Sequence, residues 1–190
     1  MKRDVRAALA IYLLGPFRIL VSGKTVEHSQ WARPQAKVLL KLLALEPQHQ
    51  LRRHQIMDTI WPDLDAASAA ANLHKIIHMV RRALEPSLKS GADSRFIRTS
   101  DQHVQLVAPG VLWIDVEEFE AGSIRAFRSG GAPECEHALS IYGGDLLPED
   151  RYADWCVRRR DQLRASHQEL LMKAATLYVE LGQHQRACEQ

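Results

Sequence analysis

Ser68, Ala71, Asn72, Lys75, His78 and Arg82 lie in a stretch with no helix breaker between Ala66 and Glu85. Wound as a helix at about 100° per residue, they gather on one side, while Ala69, Leu73, Ile76, Ile77, Val80 and Leu84 gather on the other. The first side offers a hydroxyl, an amide, an imidazole and two cations around a small alanine. Such groups can bond phosphate oxygens and base edges: Ser68 and Asn72 suit either, Lys75 and Arg82 suit guanine or phosphate, and His78 suits both. A merely solvated polar face is the competing reading.

Other chemistry is poorly supported. His74 and His78 have the i, i+4 spacing of metal ligands, but Lys75 stands where a metalloprotease needs Glu and no third ligand is evident, so no metal is expected. Gly130-Gly131 and Gly143-Gly144 are not followed by Lys-Ser or Lys-Thr, which leaves them as turns rather than nucleotide-phosphate loops. With neither a G-x-S-x-G element nor a Cys-His signature, no residue is nominated for catalysis and no cofactor is expected. Cys135, Cys156 and Cys188 are odd in number and far apart, as expected of reduced thiols.

The elements that must position the polar face can be read from periodicity and punctuation. Ile11–Leu14, Phe17–Val21 and Thr25–Glu27, separated by Gly15-Pro16 and Ser22-Gly23-Lys24, read as a small antiparallel sheet. Pro34 opens a helix whose Ala36, Leu39, Leu40 and Leu43 make a buried stripe before Pro47. Within Arg53 to Pro62 a second helix runs through Ile56 and Ile60, one turn apart; Pro62 stops it, and Asp63-Leu64-Asp65 joins it to the helix of the polar face, a helix-turn-helix. Its start at Leu51-Arg52-Arg53 lacks a Ser, Thr or Asp cap. Arg52 and Arg53 there can donate to backbone phosphate, helped by the helix N-terminus. Phe96–Thr99 and His103–Val107 flank Ser100-Asp101-Gln102 as a β-hairpin. Arg98, Ser100, Gln102 and His103 would then occupy a wing able to reach a minor groove or its phosphates.

After Pro109-Gly110 only helices are expected: Asp115–Phe127 with Val116, Phe119 and Ile124 inward, Glu134–Tyr142, Tyr152–Ser166 and Gln168–Leu181. Trp155, Leu163, Leu170, Leu171, Ala174 and Leu177 would pack, and a further helix would begin near Gln190. Trp61, Trp113 and Trp155 are expected in core or junction positions, not as base-stacking platforms. Such helix pairs resemble tetratricopeptide repeats, and the last looks cut off, as in the front part of a longer protein. The fold class is therefore α+β: an N-terminal winged helix-turn-helix over 1–108, then an all-α, TPR-like helical domain over 109–190.

Charge divides along the same line. Through Val107 there are 16 Lys and Arg against 9 Asp and Glu; from Ala108 onward there are 9 against 14. A basic half concentrates polyanions near itself, and phosphate neutralisation supplies most non-specific DNA affinity. No run of about 18 apolar residues and no secretory pattern is present, so a soluble cytoplasmic protein without membrane contact is expected.

The chain resembles the actinomycete antibiotic regulatory protein family, in which an OmpR-type winged helix precedes a bacterial transcriptional activator domain. The residues carrying the resemblance in the first half are Leu14-Gly15-Pro16-Phe17, Arg33-Pro34-Gln35-Ala36, Ile60-Trp61-Pro62-Asp63, Ala70-Ala71-Asn72-Leu73-His74 and Val80-Arg81-Arg82-Ala83-Leu84. In the second half they are Tyr142-Gly143-Gly144-Asp145-Leu146-Leu147-Pro148, Trp155 and Arg159-Arg160 to Leu163. Gln102-His103 departs from the Gly-Tyr common at the wing tip, and nothing before the first strand resembles a receiver domain. The resemblance implies sequence-specific binding to double-stranded promoter DNA, commonly as a homodimer on direct repeats, and activation through RNA polymerase. Asp63 and Asp65 would correspond to the loop that touches polymerase, with acidic helix caps as the competing account. Two alternatives remain open: a helical-repeat adaptor, whose Ser68–Arg82 face should be apolar, and the regulatory front end of a larger ATPase.

Overall fold

A computed structural model describes residues 7–31, 33–89 and 91–183. The expected helix near Gln190 and Cys188 lie outside these residues. The described part is mixed α+β, with two small sheets and six α-helices. Its elements run β1 (Leu9–Tyr12), β2 (Arg18–Val21), β3 (Lys24–Thr25), α1 (Pro34–Leu45), β4 (Gln50–Arg52), α2 (Arg53–Ile60) and α3 (Ala66–Leu84). They continue as β5 (Ile97–Thr99), β6 (His103–Leu106), β7 (Leu112–Ile114), α4 (Asp115–Ser129), α5 (Ala132–Leu139) and α6 (Asp154–Glu180). Two compact units result: residues 7–11 with 19–112, and residues 12–18 with 113–183. Among the described residues no helix is long and apolar enough to cross a membrane.

In the first unit, α1 starts on Pro34, whose missing N–H is lost nothing at a first turn, and it buries Ala36, Leu39, Leu40 and Leu43 as its stripe requires. The helix α3 packs on α1 and α2. Its face of Ala69, Leu73, Ile76, Ile77, Val80 and Leu84 is buried throughout, the condition under which a helix holds its outward face fixed. On α2, Ile56 is buried while Ile60 is half-buried. The missing Ser, Thr or Asp cap of α2 is replaced by Gln55, whose Oε1 accepts from the Arg52 N–H at 3.1 Å.

The expected hairpin is present, with one more strand than its local pattern shows. β6 pairs antiparallel with β5 (Ile97↔Leu106, Arg98↔Gln105, Thr99↔Val104) and with β4 (Gln50↔Gln105, Leu51↔Val104, Arg52↔His103), in the order β4-β6-β5. Leu51, Ile97, Val104 and Leu106 turn inward from this sheet. β4 is three residues long, too short for alternation to declare it. The other sheet has the order β3-β2-β1-β7, and β2 pairs antiparallel with β3. β7 corrects the expectation of helices alone after Pro109-Gly110.

In the second unit, α5 packs against both α4 and α6. Val116 and Phe119 are buried on α4, but Ile124, expected inward, is exposed. Gly122 and Ser123 take the inner face: a Cβ on Gly122 would lie 3.0 Å from the Ala138 Cβ, and Ser123 is buried by donating to the Phe119 carbonyl at 2.9 Å. α5 starts two residues before the expected Glu134 and ends at Leu139, short of Tyr142. The two final helices expected are one, the 27-residue α6, because Ser166-His167-Gln168 contains neither Gly nor Pro and the i→i−4 ladder runs through it. Leu163, Leu170 and Ala174 are buried on it, and Trp155, Leu171 and Leu177 are half-buried.

Residues 12–18 join this unit through backbone. Leu14 bridges Leu146, the Gly15 N–H donates to the Asp145 carbonyl at 2.9 Å, and the Leu147 N–H donates to the Leu13 carbonyl at 2.8 Å. Gly15 has φ +94° and Gly143 has so little room that a Cβ would sit 2.9 Å from the Leu14 carbonyl oxygen, so both need glycine. The buried Arg160 guanidinium closes the far side of this loop, donating to the carbonyls of Leu146 (2.8 Å), Leu147 (3.2 Å), Asp150 (3.0 Å) and Arg151 (3.2 Å).

Candidate nucleic-acid interface

The outward side of α3 is where its periodicity places it. Ser68, Ala71, Lys75, His78 and Arg82 are exposed; Asn72 is half-buried at the border of the two faces. The helix is started by Asp65, whose carboxylate accepts from the Ser68 N–H at 2.9 Å. That bond holds the Asp65 carboxyl below its ordinary range. Asp65 is thus a helix cap, and the Ser68 backbone donor is already engaged. Asp63 is exposed in the connector. At the other end, Arg82 Nη1 donates to the Leu88 carbonyl at 2.8 Å, so part of its guanidinium is tied to the following loop, whereas Lys75 stands in open solvent.

The wing residues and the two arginines before α2 come together. Register sets Arg52 opposite His103, and the Arg53 N–H donates to the Gln102 carbonyl at 2.8 Å. The turn is closed on itself: the Ser100 N–H donates to the His103 carbonyl at 2.9 Å, and Ser100 Oγ accepts from the His103 N–H at 3.1 Å. Arg52, Arg98, Ser100 and Gln102 are exposed; Arg53 and His103 are half-buried. The start of α2 and the tip of the hairpin therefore present one set of donors, rather than the two separate ones that the sequence suggests.

Arg81 is the residue that reading by faces passed over. Its Nη2 donates to the Ile97 carbonyl and to Thr99 Oγ1, both at 3.1 Å, linking α3 to β5. The available signal was its place on the helical wheel, on the flank between the buried and exposed faces. Glu85 supports the same region: buried, it accepts from Ser94 Oγ (2.5 Å), the Arg95 N–H (3.0 Å) and Arg95 Nε (3.0 Å), while Ser94 Oγ in turn accepts from the Phe96 and Ile97 N–H groups. Trp61, Trp113 and Trp155 are half-buried, and no cluster of His, Cys, Asp or Glu suited to a metal is found among the described residues.

The chain matches no protein-family model, and no curated protein matches it. Among solved structures it is similar to EmbR of Mycobacterium tuberculosis, solved in complex with a low-affinity phosphopeptide: TM-score 0.75 at 18% identity, covering 92% of this chain and 46% of that one. The chain thus spans less than half of that neighbour, and the likeness concerns the fold.

Proposed function

We propose that the chain is a DNA-binding transcriptional regulator of the antibiotic regulatory protein type, with a winged helix in its first unit and α3 as the recognition helix. The observation that carries this reading is the division of α3: a continuous aliphatic face is buried beneath an exposed face of Ser68, Ala71, Lys75, His78 and Arg82. A major groove about 12 Å wide admits one helix, and only side chains directed away from the core reach base edges. The fold likeness to EmbR agrees with it.

In this reading Asn72, Lys75, His78 and Arg82 face the groove, with Ser68 and Ala71 at the entering end. Arg52 and Arg53 with Arg98, Ser100, Gln102 and His103 hold phosphates or the neighbouring minor groove. Asp63 and Asp65 face RNA polymerase, Asp65 while also capping α3, and two copies sit on direct repeats. An adaptor for protein would need an apolar outward face on α3, which the cations there do not favour.

The test is titration of the full chain with a promoter-length duplex over a range of salt. Affinity should fall steeply as salt rises, and Lys75→Ala should weaken it by about 1–3 kcal/mol. A folded chain whose retention of duplex is absent at low salt defeats the proposal.

A further inference from the structure

We infer that Arg81 is a positioning residue that sets the wing strand β5, and with it Arg98, at a fixed attitude to α3. The inference deepens the DNA-binding reading and rests on it for its functional part. Arg81 leaves α3 on the flank of its buried face and grips β5 at two places, the Ile97 carbonyl and Thr99 Oγ1. These residues lie immediately on either side of Arg98. Side chains alternate along a strand, so a grip on the Thr99 side chain from one face leaves Arg98 directed to the other, where it is exposed. β5 is an edge strand paired only with β6 in the order β4-β6-β5, so its free edge has no ladder to fix it.

The character of the grip points to orientation rather than to stability. Arg81 Nε is buried and has no hydrogen-bond partner among the described residues. An apolar side chain at this flank would bury more surface without stranding a donor. The guanidinium, however, holds a carbonyl and a hydroxyl two residues apart through one nitrogen, Nη2, which no apolar group does. The opposite end of the hairpin is held separately, by the Arg53 N–H on the Gln102 carbonyl. Tip and edge are therefore fixed to two different helices, and the distance from Lys75 to Arg98 is set before any duplex arrives.

The experiment compares the full chain with Arg81→Met, Arg81→Lys, Arg98→Ala and Arg81→Met/Arg98→Ala by two measurements. Amide hydrogen exchange reads the clamp without DNA: in Arg81→Met the amide of Arg98, paired with Gln105 between the two gripped residues, should exchange about tenfold faster while α1 amides keep their rates. Exchange at Arg98 equal to wild type overturns the inference. Binding to a duplex of about 30 base pairs then reads its use: Arg81→Met should lose about tenfold in affinity, lower the salt slope by about one, and match Arg98→Ala. The double variant should lose no more than either single, and Arg81→Lys should fall between. Losses that multiply in the double variant mean that Arg81 touches DNA itself and overturn the positioning role. Faster exchange in a series where even wild type ignores the duplex keeps the clamp and removes only the DNA-binding reading.

Discussion

Asp65 accepts a hydrogen bond from the backbone of Ser68 at 2.9 Å, in the turn where the proposed reading helix begins. A carboxylate at this place satisfies a donor that the helix cannot satisfy itself and complements the positive end of its dipole. Asp65→Ala should lower the melting temperature of the chain, and Asp65→Ser, which keeps an acceptor, should restore most of the loss. Because the Asp65 carboxyl is held below 3.8, its stabilisation is present above that pH and disappears as pH falls through the lower folded value. Thermal unfolding of both variants from neutral to acid pH checks the sign: a gap between wild type and Asp65→Ala that widens on acidification contradicts the cap.

The two faces of α3 should respond oppositely to truncation. Leu73→Ala opens a cavity beneath a fully buried side chain and is expected to remove about 2–5 kcal/mol of stability, seen by denaturant unfolding. Lys75→Ala should change stability by no more than about 0.5 kcal/mol while weakening duplex binding. Arg82→Ala is a less clean probe, since it also releases the Leu88 carbonyl. If Lys75→Ala and wild type bind a duplex equally, Lys75 is outside the interface.

Asp115 is 2% exposed and accepts from the backbone of Leu13, Leu14 and Val116 at 2.8–2.9 Å. Burial outweighs these donors and raises its carboxyl from 3.8 to about 6. An acid with a raised folded value contributes most below its ordinary range, and that contribution is lost as pH rises through the folded one. Relative to Asp115→Asn, wild type should therefore lose about 3 kcal/mol between pH 4 and pH 7, a range set by the values 3.8 and about 6. Comparing the two proteins cancels every other carboxylate. An advantage of wild type that grows with pH would falsify this account.

Arg160 supports the Leu146–Arg151 loop by donating from one buried guanidinium to four of its carbonyls. Arg160→Met takes this donor from four carbonyl groups, of which Leu147 and Asp150 keep the N–H groups of Asp150 and Ala153, and should destabilise the chain by about 2 kcal/mol or more, measured by urea unfolding. Arg160→Lys keeps the charge but not the fork and should recover only part. A neutral Arg160→Met would show that water satisfies these carbonyls equally well.

The division of α3 into a buried and an exposed face, the start of α1 at Pro34 and the hairpin about Ser100 to Gln102 all follow from patterns that a few consecutive residues contain. Helical periodicity, a missing donor and turn chemistry act over one or two turns of chain, so order along the chain is enough to read them. The strands β4 and β7, the bonds from Arg81 Nη2 to Ile97 and Thr99, the carboxylate of Asp115 on Leu13 and Leu14, and the contact of Gly15 with Gly143 were not legible there. In each, the partner lies far along the chain or the segment is three residues long, and propensity is silent about which distant backbone will supply the other half of a hydrogen bond. Ile124 shows the converse: its spacing suited an inner face, but Gly122 and Ser123 admit α5 more closely, and packing density chose between them. Local pattern thus named the side chains that α3 and the hairpin leave exposed, whereas their mutual placement arose from long-range pairing, which no short stretch of residues encodes.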